Sequence, residues 1–355
     1  MIRRWGLLVV GIVLTGVAFV VEHAFGASAG TIVASVPLLL VAPIVAKGTD
    51  ALQGRFSPSV VGILQSAFGN VAELAITILA LRANLPDVVK YAIVGSLLGN
   101  AVLLGGVAGL LPCIRAGLQP RSLMFDRKLF SGIATLSVIS FIPIALLSTP
   151  TREIGAADRE HIELIVGIGL LVLGTLFILS ELRKPHDATA AHGPTENQLP
   201  LSAGVVYLAV GGIMAALTSE VFVAGFTSAV ADIGMPLAFA SLVIVPLVGN
   251  VAENFVALRY AWAGNGDAAM SVIMHSVVQI ALLMTGILVV VSQFLGRTPL
   301  TMQIDPLLAI ALGLSLIVLW MVVVDGEIEP IEAAGLITVF VILGTLVWIE
   351  NPVVG

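Results

Sequence analysis

Two copies of one polar motif stand out in an otherwise apolar chain. Gly69-Asn70-Val71-Ala72-Glu73 recurs as Gly249-Asn250-Val251-Ala252-Glu253, an offset of 180 residues. In each copy an amide precedes a carboxyl by three residues, which puts both on one face of a helix. The same offset, without a gap, pairs Asp87 with Asp267, Ile93 with Ile273, Ser96 with Ser276, Ala101 with Ala281 and Leu103 with Leu283. Ser96 with Asn100 (i, i+4) and Ser276 with Gln279 (i, i+3) make two further polar helix faces. Together these are two carboxylates with amide and hydroxyl oxygens. Hard oxygen ligands, partly carboxylate, suit Ca²⁺, and two carboxylates match its charge; softer metals would want thiolate or imidazole. The same carboxyls can take protons instead, because removal from water favours the neutral form. A site that holds either one Ca²⁺ or protons, and seldom stands empty, would couple their opposite movements. That is an antiport mechanism built from two glutamates.

The elements that must hold these groups follow from composition. Hydrophobic residues make up 58% of the 355 and charged residues 11%, and the mean hydropathy is +1.09. A soluble surface needs roughly 25% charged residues, so soluble enzyme, nucleic-acid binder and disordered scaffold are excluded. The lone Cys113 excludes a disulfide framework, a thiolate zinc site and a CxxC redox pair. Apolar blocks lie at 5–25, 31–53, 58–82, 86–113, 127–148, 161–181, 203–231, 235–262, 267–295, 304–324 and 331–349. Blocks of about 20 residues without alternating polarity predict transmembrane helices, and Trp5, Trp262, Trp320 and Trp348 fall near block ends, as interfacial anchors do. The first block follows Arg3 and Arg4 and precedes Ala27-Ser28-Ala29, which is also the pattern of a cleavable signal; a retained helix is expected. With the N-terminus inside, eleven Lys and Arg residues fall on inside segments and five on outside segments, which satisfies the positive-inside rule with the C-terminus outside.

The motifs then lie in helices three and eight. An odd separation of five turns the two copies over relative to each other, as in transporters built from inverted repeats with a site near the midplane. The expected fold class is an all-α polytopic membrane protein of 11 transmembrane helices. Two inverted-topology five-helix repeats, helices 2–6 and 7–11, follow an extra N-terminal helix. The organisation is residues 1–29 for the extra helix, 30–181 for the first repeat, 182–200 for a cytoplasmic linker and 201–355 for the second repeat. Pro246, four residues before Asn250, and the glycines that open each motif predict breaks that would free carbonyls as ligands; ordinary kinking or close packing at glycine is the alternative.

These residues resemble a family. Gly69 to Leu74 with Ala80-Leu81, then Gly95-Ser96-Leu97-Leu98-Gly99-Asn100, looks like the first signature of calcium/proton antiporters of the calcium/cation antiporter superfamily. Gly249 to Glu253, with Ser276 and Gln279, looks like the second. The resemblance covers 58–113 and 235–290. It implies eleven helices, one plus five plus five, and Glu73 and Glu253 as carriers of Ca²⁺ and protons. Asn70, Asn250, Ser96, Ser276 and Gln279 are implied as supporting groups. The sodium/calcium exchanger branch has a Ser/Thr- and Pro-containing motif before its acid, where this chain has Asn in both halves. The chain departs from the pattern at His275, Val277 and Gly99, and its linker is only mildly acidic. A denser acidic run, Asp325 to Glu332, lies instead between helices ten and eleven. The absence of a long regulatory extension predicts a prokaryotic plasma-membrane protein.

Other polar residues complete the set. Asn100 joins the ligand candidates. Glu220, a third acid inside an apolar block, is a candidate proton relay or vestibule acid, and Asp50 is its partial counterpart. His275, which titrates near neutral pH when unperturbed, is a candidate in proton coupling. No cofactor is expected; the partners are Ca²⁺ and H⁺ as cargo and the bilayer. The alternatives are an Na⁺/H⁺ or Na⁺/Ca²⁺ antiporter of the same fold and, remotely, an intramembrane hydrolase using Ser276, His275 and Glu220. Adjacent helix positions point about 100° apart, which disfavours a Ser276–His275 pair.

Overall fold

A computed structural model describes residues 2–52, 55–56, 58–148, 156–183, 199–295 and 299–350; most of the expected linker, 184–198, lies outside them. In a bilayer every backbone donor and acceptor must be satisfied within the chain, and every apolar block is accordingly helical. The chain runs through α1 (Ile2–Phe25), α2 (Ala27–Asp50), α3 (Pro58–Gly69), α4 (Val71–Arg82), α5 (Pro86–Leu98) and α6 (Gly105–Arg115). After a two-residue strand β1 (Leu123–Met124) come α7 (Arg127–Ser148), α8 (Ala156–Leu182), α9 (Leu201–Ala224), α10 (Phe226–Asp232), α11 (Leu237–Phe239) and α12 (Val245–Gly249). The last elements are α13 (Val251–Ala263), α14 (Gly266–Val278), α15 (Thr285–Ser292), α16 (Pro306–Asp325), β2 (Glu327–Ile328) and α17 (Pro330–Glu350). Among the described residues nine helical stretches are long and apolar enough to cross a membrane. A tenth is the pair Leu237–Gly249 and Val251–Ala263, bent by 65°. The protein is an integral membrane protein.

The centre is the stretch Gly266–Ser292, 89% buried in its most apolar window, against 22% for Trp5–Phe25 at the periphery. Small residues let the helices close up, as they do where water supplies no drive to associate. The α2–α9 pair is an example: Gly204 lies against Ala51, and Gly48 against Leu208. Thr15 and Thr218 are hydrogen-bonded at 3.1 Å, and Thr31 donates to the Phe222 carbonyl at 2.9 Å, tying α1, α2 and α9 into one layer.

Two local features were not expected from the sequence. Three π-helical turns interrupt the long spans at Gly99–Leu104, Ala240–Ile244 and Gln279–Met284; such turns concentrate at functional sites. The first and third start 180 residues apart, as the motifs do. The acidic run between the last two helices is pinned to the start of the Arg127–Ser148 helix by an antiparallel pair, Leu123 with Ile328 and Met124 with Glu327.

Candidate functional site

Each motif sits at a helix interruption. Asn70 (φ −80°, ψ −4°) separates α3 from α4, and Asn250 (φ −105°, ψ 13°) separates α12 from α13. Glu73 and Glu253 therefore lie in the first turns of α4 and α13, where amide dipoles favour negative charge. Both are fully buried. Their environments interlock. A Cβ on Gly69 would fall 2.5 Å from Cγ of Glu253, and one on Gly249 would fall 2.9 Å from Cβ of Glu73. Each motif's glycine thus makes room for the other motif's glutamate.

Three chains of amide, hydroxyl and carboxyl surround the pair. Ser96 donates to Glu73 and accepts from Nδ2 of Asn250 at 3.0 Å. Ser276 donates to Glu253 and accepts from Nδ2 of Asn100 at 2.8 Å. Ser66 donates to Oε1 of Glu253 at 2.9 Å and accepts from Nδ2 of Asn70 at 3.4 Å. The polarity follows from chemistry. A hydroxyl spends its one proton on the carboxylate, so the amide must present its NH₂ to the hydroxyl. The amide oxygen then points elsewhere. Oδ1 of Asn70, Oδ1 of Asn250 and Oε2 of Glu73 are buried without any hydrogen-bond partner. Buried acceptors are ordinarily satisfied, and each one left alone costs about 1–3 kcal/mol. Three orphaned oxygens on two adjacent motifs are what a hard cation would satisfy. Among the described residues no group of three or more His, Cys, Asp or Glu is placed to hold a metal ion; the charged groups at this site are the two carboxylates alone.

The model of the sodium/calcium exchanger protein family matches residues 26–181 and 203–349. The chain belongs to that family. The Ca²⁺/H⁺ antiporter of Aphanothece halophytica is 26% identical over 342 residues, 90% of each chain. The solved structure of native YfkE superposes with a TM-score of 0.79 at 21% identity, covering 98% of this exchanger and 99% of YfkE. The H⁺/Ca²⁺ exchanger CAX gives 0.75 at 13% identity, over 98% and 93%. At these identities the two structures establish the fold.

Of the residues singled out in the sequence, Glu73, Glu253, Asn70, Asn250, Ser96, Ser276 and Asn100 come together in this exchanger. Gln279, at the start of its π-turn, reaches the Ile63 carbonyl at 3.5 Å rather than a carboxylate. His275 is buried but turns away: Nδ1 lies 2.7 Å from the Ser271 carbonyl and Nε2 lies 3.7 Å from Oε2 of Glu181 on α8. Glu220 is exposed. Thr218 and Ser219 occupy the buried face of α9, and helical rotation carries the next residue outward. Asp50 ends α2 and forms a two-pronged pair with Arg259 at 2.7 and 3.1 Å. Sequence reasoning missed Ser66, whose counterpart 180 residues on is Pro246. It also missed two buried acids, Glu163 and Glu181, which lie at block ends, where hydropathy reads them as loop charges.

Proposed function

We propose that this exchanger exports cytoplasmic Ca²⁺ in exchange for external H⁺ by alternating access, with Glu73 and Glu253 carrying either ion. The three unpartnered oxygens on Asn70, Glu73 and Asn250 carry the proposal. Ca²⁺ bound there neutralises two carboxylates and gains neutral oxygens, a fit to its charge and hardness. Protons arriving from outside neutralise the same carboxyls and release it. With the pair sealed from water, an empty, doubly charged site would be costly, so the protein crosses between its two faces loaded with one cargo or the other. Ser96, Ser66 and Ser276 hold the carboxyl groups in place in either state, since a hydroxyl can donate to a carboxylate and accept from a carboxylic acid.

The proposal extends to architecture. Eleven crossings, with the N-terminus in the cytoplasm, divide into an extra helix (1–29), two inverted five-helix repeats (30–181 and 201–355) and a linker (182–200). The shared offset of the motif breaks and of two π-turns, and the reciprocal packing of Gly69 and Gly249, support that reading. The names of relatives from Aphanothece halophytica, Synechocystis and Bacillus subtilis, all Ca²⁺/H⁺ antiporters, support the cargo.

The test uses acid-loaded proteoliposomes. External Ca²⁺ drives proton release from wild-type vesicles, and Glu73→Gln or Glu253→Gln abolishes it. Robust exchange by either variant would sink the two-carboxylate mechanism. Proton release driven by Na⁺ in place of Ca²⁺ would assign the site to the other ion pair.

A further inference from the structure

The two halves differ at one place that the ion site does not use. α2 carries Pro37 and Pro43 inside the helix, and a proline there removes a backbone hydrogen bond and clashes with the turn before it. The segment from Ile44 to Asp50 therefore joins the rest of α2 through a weak point, where a helix can bend. α2 packs along α13, and its last residue is held there. The Asp50 carboxylate accepts two hydrogen bonds from the Arg259 guanidinium, at 2.7 and 3.1 Å. In the other half α9 contains no proline, and the positions that match Asp50 and Arg259 are Glu220 and Leu79, an acid without a base. Hinge and clasp occur together in one half and are both missing from the other.

The clasp stands on one approach to the carboxylates. Arg259 lies six residues past Glu253 on α13, about 9 Å along the axis. α2 also packs on α3 and α12, the helices that lead into the two motifs, and Glu253 is fully buried with the pair closed. Packing at this end is light. The last buried residues of α2 are Ala46, Gly48 and Thr49, and those of α13 are Val256, Ala257 and Ala261, so parting the helices exposes little apolar surface. Thr49 turns its hydroxyl back on its own helix, to the Val45 and Ala46 carbonyls at 3.0 Å. The neighbouring cations are engaged elsewhere: Lys47 lies 5.9 Å from the Tyr207 ring centroid, and Arg55 donates to the Leu199 carbonyl at 3.3 Å.

We propose that Asp50 and Arg259 form a latch, which holds the hinged end of α2 over the route to Glu253 and parts in each transport cycle to open it. The inference rests on alternating access as proposed above and names the contact that this chain breaks to expose its site at one face. A half-exposed ion pair suits that task. It biases the balance between the two faces by up to about fivefold and is too weak to trap the carrier.

Cross-linking in acid-loaded proteoliposomes tests the latch. The chain carries Cys113→Ser, so that Asp50→Cys and Arg259→Cys supply its two thiols. Untreated, this protein exchanges Ca²⁺ for protons, because the latch takes no part in binding. A bifunctional thiosulfonate about as long as the two side chains it replaces joins the cysteines and stops exchange, and reduction restores it. Either single cysteine, treated alike, keeps its rate. Exchange that continues in fully cross-linked protein overturns the latch, as does an untreated double variant that folds but does not exchange. Wild-type vesicles without exchange would instead overturn the transport reading, so the two failures are distinguishable. Arg259→Gln keeps the helix packing and shifts apparent Ca²⁺ affinity in opposite directions at the two faces, by up to about fivefold, in right-side-out and everted vesicles. Asp50→Arg with Arg259→Asp returns both values toward wild type. Equal shifts at both faces, or a shift at neither, overturn the proposal.

Discussion

Gly69→Ala adds one methyl at the place where the first motif packs against the second motif's acid. The added Cβ falls 2.5 Å from Cγ and 2.9 Å from Oε1 of Glu253. Ordinary contact begins at 3.4 Å, so the glutamate must yield by 0.9 Å (3.4 − 2.5). Oxygen ligands of Ca²⁺ sit within about 2.3–2.6 Å of the ion, a tolerance about a third of that displacement. The atoms that move belong to a side chain, so the fold absorbs the change at an overpacking cost of about 1–3 kcal/mol. Misplacing a reacting group by about 1 Å costs on the order of 100-fold. Gly69→Ala is therefore expected to remain folded, melting a few degrees lower, while its apparent Ca²⁺ affinity falls roughly 10- to 100-fold. Radioactive Ca²⁺ uptake into acid-loaded proteoliposomes measures the affinity, and a fluorescence melt measures the fold. Gly99→Ala, whose Cβ meets nothing within 4 Å, is the control and behaves as wild type. A monodisperse Gly69→Ala protein with wild-type Ca²⁺ affinity would refute the reciprocal packing as part of the site.

Other outcomes follow from the same geometry. Ser66→Ala removes one of two hydroxyl donors to Glu253 and strands the Asn70 amide; a lost hydrogen bond to a charged group is worth about 1.5–3 kcal/mol, so Ca²⁺ binding by calorimetry weakens about 10- to 100-fold, and Ser66→Thr restores most of it. If Ca²⁺ and protons share one pair of carboxyls, apparent Ca²⁺ affinity rises with pH; a pH-independent affinity would count against shared carriers. Gly95→Ala drives a Cβ to 1.9 Å from the Leu242 carbonyl oxygen, a backbone atom that cannot step aside. Its melting temperature is expected to fall well beyond that of Gly69→Ala. Exchanging the half-exposed pair Asp50 and Arg259 as Asp50→Arg with Arg259→Asp recovers what either single change loses, about 1 kcal/mol or less by thermal unfolding.

What the sequence disclosed depended on chemistry that stands out against an apolar background. Asn and Glu are rare enough in the spans for a five-residue repeat to mark the site, and block lengths mark the helices. The interruption at Asn250 was legible from Pro246. The one at Asn70 rests on no proline, and glycine alone leaves a break and a close contact indistinguishable until the facing Glu253 is placed. Ser66 escaped because symmetry was the detector and its counterpart is a proline. Hydropathy averages over a helix and does not say which face is buried, so it did not separate the exposed Glu220 from the buried Glu73 and Glu253. Glu181 and Glu163 illustrate the converse: at block ends a carboxylate reads as solvated, yet packing by a neighbouring helix buries it. The π-turns leave no compositional mark, since one extra residue in a turn alters no local preference.

The interlocked glycines also bear on how such a site can change. Gly69 leaves the room that Glu253 fills, and Gly249 the room that Glu73 fills, so a bulkier residue in either motif is felt by the opposite one. A stepwise route to a new ion preference through single changes in one motif passes through a misfitted partner. Selection for altered cargo, in nature or in the laboratory, is therefore expected to recover substitutions in pairs, one from each motif, with either change alone inferior to both.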